Sequence, residues 1–172
     1  MVLRFQGIPE IAESELAVAL GLHVPPNKAI DYPFAAISSE PKDWGVRIGG
    51  HHSETLAAFL REKRIPIQMQ YVPVNNIART SFAEWLEENL NLGVSLIVGF
   101  DYRAVFLDGA NVGHMSIVES IPDRTGSIIL IEPEAGLRLT TDELTLYRGM
   151  QTQGGGTWLF STSADKIVTE SI

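Results

Sequence analysis

Two apolar runs in the second half of the chain carry the residues best suited to chemistry. "VGHMSIVES" (Val112 to Ser120) opens on His114, and "SIILIEPE" (Ser127 to Glu134) closes on Glu132, 18 residues on. Two antiparallel strands joined by the turn "PDRTG" would bring the start of one run beside the end of the other. An imidazole next to a carboxylate is fixed in tautomer and made more basic, as an oriented general base must be. The plainer alternative is a strand-end histidine paired for solubility. Asp101 and Asn111, polar residues at strand ends, are the second choices for the orienting group and rank below Glu132.

Other reactive-looking residues point less far. His23, His51, His52 and His114 are the four histidines, and no spacing among them matches a zinc helix motif. There are no cysteines, so disulfides and thiolate metal sites are excluded. "GGGTW" (Gly154 to Trp158) lacks the lysine and hydroxyl residue of a phosphate loop. It reads as a flexible lead into the last strand, or as a glycine rim that lets an extended substrate approach the backbone. Trp44, Trp85 and Trp158 are expected in core or rim packing, and "LEENL" as an exposed acidic helix face.

The elements that must position His114 and Glu132 follow from periodicity. "ESELAVALG" reads as a short buried helix with Leu16, Ala17 and Leu20 on one side and Gly21 as its stop. His23 to Gly50, rich in Pro and Gly, reads as irregular or only briefly structured. "SETLAAFLREKR" is a helix capped by Ser53, and "PIQMQYV" alternates as a half-buried strand. "SFAEWLEENLNLG" carries a capping box, Ser81 with Glu84. Strands are expected at "VSLIVGF", "RAVFL", "HMSIVESI", "SIILIE" and "GTWLFS", with a last helix in "TTDELTLYRGM" capped by Thr140 or Thr141. Helices first and strands afterwards predict an α+β domain with a largely antiparallel sheet.

Size and charge bound the rest. The 172 residues are expected to form one domain, 1–172, with a sizeable core. A formal charge of −8 disfavours a nucleic-acid backbone or an anionic membrane surface as partner. The start "MVLRFQGIPE" lacks the pattern of a signal peptide, and "GVSLIVGF" is too short to span a bilayer, so a cytoplasmic location is expected.

The stretch from "SETLAAFLREKRIPIQMQYVPV" through "SFAEWLEENLNLGVSLIVGF" to "GHMSIVESI" and "IILIEPEAG" resembles the papain-like cysteine peptidases of the C39-like kind. The resemblance covers most of the chain and rests on the order of patterns more than on long identities. It implies a papain-like α+β fold, with an N-terminal helical half packed on the antiparallel sheet, and thiolate attack on a peptide or amide carbonyl without a metal or cofactor. His114 matches the family histidine. Glu132-Pro133 stands where the family has Asp-Pro, so the orienting acid would be a glutamate whose longer arm must fold back. Gln6, in "RFQGIPEIAESEL", matches the family glutamine that helps hold the oxyanion. The family's nucleophilic cysteine would follow at the start of the first long helix, and Ala12 stands there. Three explanations stay open: an engineered replacement that silences the enzyme, a natural pseudoenzyme that kept a peptide-binding cleft, or a shifted register with Ser14 as nucleophile. The last is the least attractive, since a hydroxyl needs a stronger base than a thiol. The resemblance equally accommodates an acyltransferase or deamidase, because these share the attack on a carbonyl and differ in the acceptor.

Overall fold

A computed structural model describes residues 11–39, 45, 53–107, 112–122, 126–133, 136–162 and 167–168. The chain divides into two compact units, one made chiefly of residues 67–172 and one of residues 8–66.

The larger unit is built on a six-stranded sheet. Its strands are β3 (Gln68–Pro73), β4 (Ser95–Asp101), β5 (Gly113–Ser120), β6 (Ser127–Ile131), β7 (Arg138–Asp142) and β8 (Gly156–Ser161). They lie in the order β3-β8-β4-β5-β6-β7, and every neighbouring pair is antiparallel. The unit is therefore α+β, as the sequence of patterns predicts. Helices α3 (Phe82–Asn91), α4 (Tyr102–Phe106) and α5 (Glu143–Gln153) complete it. Leu96, Val98 and Phe100, spaced two apart on β4, share one largely buried face with their cross-strand partners Val118, Ser116 and His114. Phe82, Trp85 and Leu86 of α3 and Leu146, Tyr147 and Met150 of α5 close the core over it.

Several local readings of the sequence are corrected. "RAVFL" forms no strand: Asp101 Oδ1 accepts a hydrogen bond from Ala104 N at 2.8 Å and starts α4 instead. Thr140 and Thr141 belong to β7, and the cap of α5 is Asp142, whose Oδ1 accepts from Thr145 N at 2.9 Å. That bond holds the Asp142 carboxyl below the ordinary carboxylate range. The capping box at Ser81 does not form, because the Ser81 hydroxyl donates to Ala78 O. The Glu143 side chain, from 60 residues away, accepts from Ala83 N in the first turn of α3. Within "LEENL", Asn89 is fully buried and exchanges hydrogen bonds with the backbone of Val168.

"GGGTW" is tightly packed. A Cβ on Gly155 would lie 2.2 Å from Gly99 O, and one on Gly156 would lie 2.4 Å from Val72 O. The glycines let β8 close against β4 and β3, so the backbone they admit is the protein's own. Trp85 and Trp158 are both buried.

In the smaller unit α1 (Glu13–Ala19) ends at Gly21, whose φ of +67° is the left-handed conformation expected of a glycine stop. Two-residue strands β1 (His23–Val24) and β2 (Ala36–Ile37) pair in parallel. Helix α2 (Ser53–Glu62) buries Leu56, Phe59 and Leu60, the predicted stripe, and Lys63 beyond it pairs with Glu15 of α1. The side chain of Ser53, the expected cap, lies outside the described residues.

Candidate active site

His114 is placed by the β4–β5 ladder. Gly113 lies opposite Asp101 and His114 opposite Phe100, so the imidazole starts the same face that Val98 and Leu96 continue. Its ring meets Phe100 at 5.6 Å and Tyr102 at 5.1 Å, both edge to face. Two aromatic neighbours restrict the ring's orientation and lower the polarity around it.

Glu132 is placed by the far side of β5. Ile117 pairs with Ile131, the last residue of β6, so Glu132 is the first residue past the ladder. Pro133 follows, which disfavours a helical conformation at Glu132 and keeps the strand direction going. The turn then fixes the backbone: Glu132 N donates to Leu137 O at 2.9 Å, and Glu132 O accepts from Gly136 N at 2.8 Å. Gly136 takes φ +65°, a conformation costly for other residues.

These placements make the two side chains diagonal neighbours across the β5–β6 pair, within reach of a long arm. His114 Nε2 lies 3.3 Å from Glu132 Oε1, with side chains 24% and 13% exposed. The contact is at ion-pair distance but misaligned for a hydrogen bond from Nε2. With Nε2 turned to the acid, Nδ1 is the ring nitrogen left for proton transfer.

The sequence-predicted site is thus brought together in part: His114 and Glu132 meet. Ala12 is the N-cap of α1 in the smaller unit; its carbonyl accepts from Glu15 N and Leu16 N, and no side chain caps the helix. That helix has 7 residues, far fewer than the long helix implied by the family pattern. Ser14 is exposed within it. Gln6 and Asn111 lie outside the described residues, as do Trp44, His51 and His52. Asp101 sits opposite Gly113, on the reverse face from His114, and is engaged as the α4 cap.

Sequence reasoning missed three features. Tyr102 approaches His114 because α4 forms where a strand was expected. Ser116 follows His114 two places along, is fully buried, and its hydroxyl has no hydrogen bond among the described residues. The signal for Ser116 was present: a hydroxyl in the middle of "HMSIVES", two residues from His114 and so at the same strand parity. Third, a cleft of about 550 Å³ lies under α5, lined by Ala104, Ser127, Thr141, Asp142, Thr145 and Arg148 among others. Neither His114 nor Glu132 lines it.

Among the described residues no cluster of three or more His, Cys, Asp or Glu is placed to hold a metal ion, and no helix is long and apolar enough to cross a membrane. No protein-family model and no curated protein matches the chain.

Proposed function

We propose that the chain is a papain-like domain of the C39-like kind, built for chemistry on a peptide or amide bond and present here without its nucleophile. One observation carries the reading: an imidazole at the opening of one strand, held 3.3 Å from a carboxylate at the close of the next. In the active form of such a domain, a thiolate at position 12 attacks the carbonyl. His114 takes the thiol proton and returns it to the leaving amine, Glu132 orients the ring, and Gln6 with backbone N–H groups holds the oxyanion. Ala12 supplies only a methyl group, so the chain as written binds its peptide or protein partner without turning it over. That non-catalytic reading is favoured by the complete absence of cysteine from the sequence. Transfer to an acceptor other than water, as in an acyltransferase or deamidase, uses the same groups. The partner is taken as a peptide or protein in the cytoplasm, since the net charge of −8 disfavours nucleic acid and anionic membrane.

The missing cysteine makes the test clean, because any thiol introduced is the only one. Ala12→Cys is expected to give a thiol that reacts with iodoacetamide at neutral pH faster than free cysteine, with a depressed pKa. In the Ala12→Cys/His114→Cys variant, a short bis-thiol reagent is expected to join the two positions within one chain, read as one added linker in the intact mass. An ordinary thiol at position 12 together with no intramolecular link sinks the assignment.

A further inference from the structure

Strand β7 is one edge of the six-stranded sheet, and no described strand lies along its outer side. The hydrogen bonds at the two ends of its ladder with β6 fix which backbone groups face outward. Glu143 N donates to Gly126 O at one end, and Glu132 N donates to Leu137 O at the other, both at 2.9 Å. Hydrogen-bonded and non-bonded pairs alternate along an antiparallel ladder. Counted inward from either end, Ile128–Thr141 and Leu130–Leu139 are the bonded pairs, while Ser127–Asp142, Ile129–Thr140 and Ile131–Arg138 are not. The N–H and C=O groups of Arg138 and Thr140 therefore point away from β6, to the open edge.

Open edges are commonly blunted by proline, a bulge or charge. The opposite edge, β3, ends on Pro73. Strand β7 has neither proline nor bulge, and its two charges, Arg138 and Asp142, are of opposite sign and equidistant from Thr140. When a second β7 is laid antiparallel with Thr140 on the two-fold axis, each Arg138 stands opposite the other copy's Asp142. Moving the axis by one residue either way loses that match. Both groups have capacity for it: Arg138 gives Nε and Nη2 to Glu119 and keeps Nη1, and Asp142 accepts from Thr145 N through Oδ1 alone. The apolar face agrees. In the same register Leu139 of the second copy lies opposite Thr141, a buried residue that lines the cleft under α5. Leu137 has the same strand parity and is 59% exposed, and Leu107, which also lines the cleft, is 88% exposed.

We propose that β7 is a self-association edge: two copies of this chain pair β7 to β7, antiparallel about Thr140, and join their sheets into one. The two Thr140 residues exchange a pair of backbone hydrogen bonds. The Arg138–Asp142 contacts flank them on one face, and the leucines enter the two clefts on the other. Such a contact uses the same patch on both copies and closes on itself, so it stops at a dimer instead of growing into a fibre. A strand of five residues a side makes a small interface, so the association depends on concentration. Nothing in it depends on the His114–Glu132 pair or on the missing thiol.

The test reads oligomeric state. In light scattering the mass of the parent chain is expected to rise toward that of two chains between about 1 and 200 μM. Over that range Thr140→Pro is expected to stay monomeric and to melt close to the parent, because the N–H it removes takes no part in the β6 ladder. Arg138→Glu sets like charges opposite each other and is expected to weaken association about tenfold, which decides the matter should the proline variant fail to fold. The chain has no cysteine, so Thr140→Cys introduces a single thiol that the two-fold axis places against its own copy. Opposed Cβ atoms lie about 5 Å apart, near disulfide range. Under mild oxidation Thr140→Cys is expected to form a covalent dimer about tenfold faster than Glu87→Cys, an exposed site on α3. A single-chain mass throughout overturns the proposal, and it is the result expected if the edge instead receives a segment of a different protein. A dimer untouched by both Thr140→Pro and Arg138→Glu overturns it, because another surface then holds the copies. So does a Thr140 amide that resists hydrogen exchange in the monomer, since the edge is then covered within one copy.

Discussion

Strand β5 carries an acid–base pair at each end, and the two pairs differ in nearly everything but spacing. At its opening, His114 faces Glu132, 18 residues on. At its close, Glu119 faces Arg138, 19 residues on. The second pair is bidentate: Arg138 Nε and Nη2 donate to the two Glu119 oxygens at 2.7 and 2.6 Å. The guanidinium holds the Glu119 carboxyl below its ordinary range, and the arginine is largely exposed. Glu119 is also the extra residue where the ladder slips between Val118 and Ser120, and a bulge of this kind re-aims a side chain. Each oxygen of that carboxylate is already taken. At the other end the contact is single, longer and less exposed, on a regular ladder face against aromatic rings, and one ring nitrogen stays uncommitted. Nearly equal spacing along a sequence therefore says little. Burial, alignment and unused bonding capacity separate a surface pair from a candidate reactive one.

That contrast can be broken in order of expected effect. The frame common to both ends depends on Gly155, and Gly155→Ala forces a methyl into Gly99 O. It is expected to cost about 3 kcal/mol in chemical denaturation, at the upper end for overpacking, and to disturb both pairs. Next, in the Ala12→Cys background, His114→Ala is expected to slow alkylation of the thiol at neutral pH about tenfold or more, with Glu132→Gln intermediate. Glu119→Gln should leave that rate unchanged. Equal effects of the two glutamates would erase the distinction drawn between the ends.

A smaller effect belongs to the helix caps. Asp142→Ala removes the bond to Thr145 N and is expected to cost about 1 kcal/mol of stability. The folded-state carboxyl of Asp142 is depressed, so the stabilisation it gives is complete above the ordinary carboxylate range and is lost as pH falls through the folded value. The Asp142→Ala deficit should therefore shrink in denaturation curves taken below about pH 4. The least effect is expected at the exposed end. Glu119→Gln should change the melting temperature slightly at neutral pH in low salt and not at all in high salt, since solvent and ions screen the pair. Glu119 is depressed too, and what it contributes is likewise present above the carboxylate range and lost on acidification.

Much of this was legible in the residues. Alternation and apolar runs located β3, β4, β5, β6 and β8, because a strand buried on one or both faces must repeat every two residues or be apolar throughout. The same patterns put His114 at a strand opening and Glu132 at a strand close, and that is where both stand. The failures were local choices settled by distant partners. "RAVFL" has the β-branched and aromatic composition of a strand, yet Asp101 caps it and Phe106 turns inward against Phe100. Ser81 and Glu84 satisfy a capping rule that Glu143 makes unnecessary. Asn89 looked like one more polar residue of an exposed face until Val168 gave it a buried partner.

By itself, then, the sequence determined the fold class, the identities of the two groups that meet, and the absence of any thiol to act with them, since periodicity and residue type are properties of the chain alone. Only the tertiary structure decided the diagonal contact between His114 and Glu132, the aromatic walls around the ring and the burial of Ser116. Each of these depends on cross-strand register and on helices arriving from elsewhere, and no single stretch encodes where its partner across the sheet will lie.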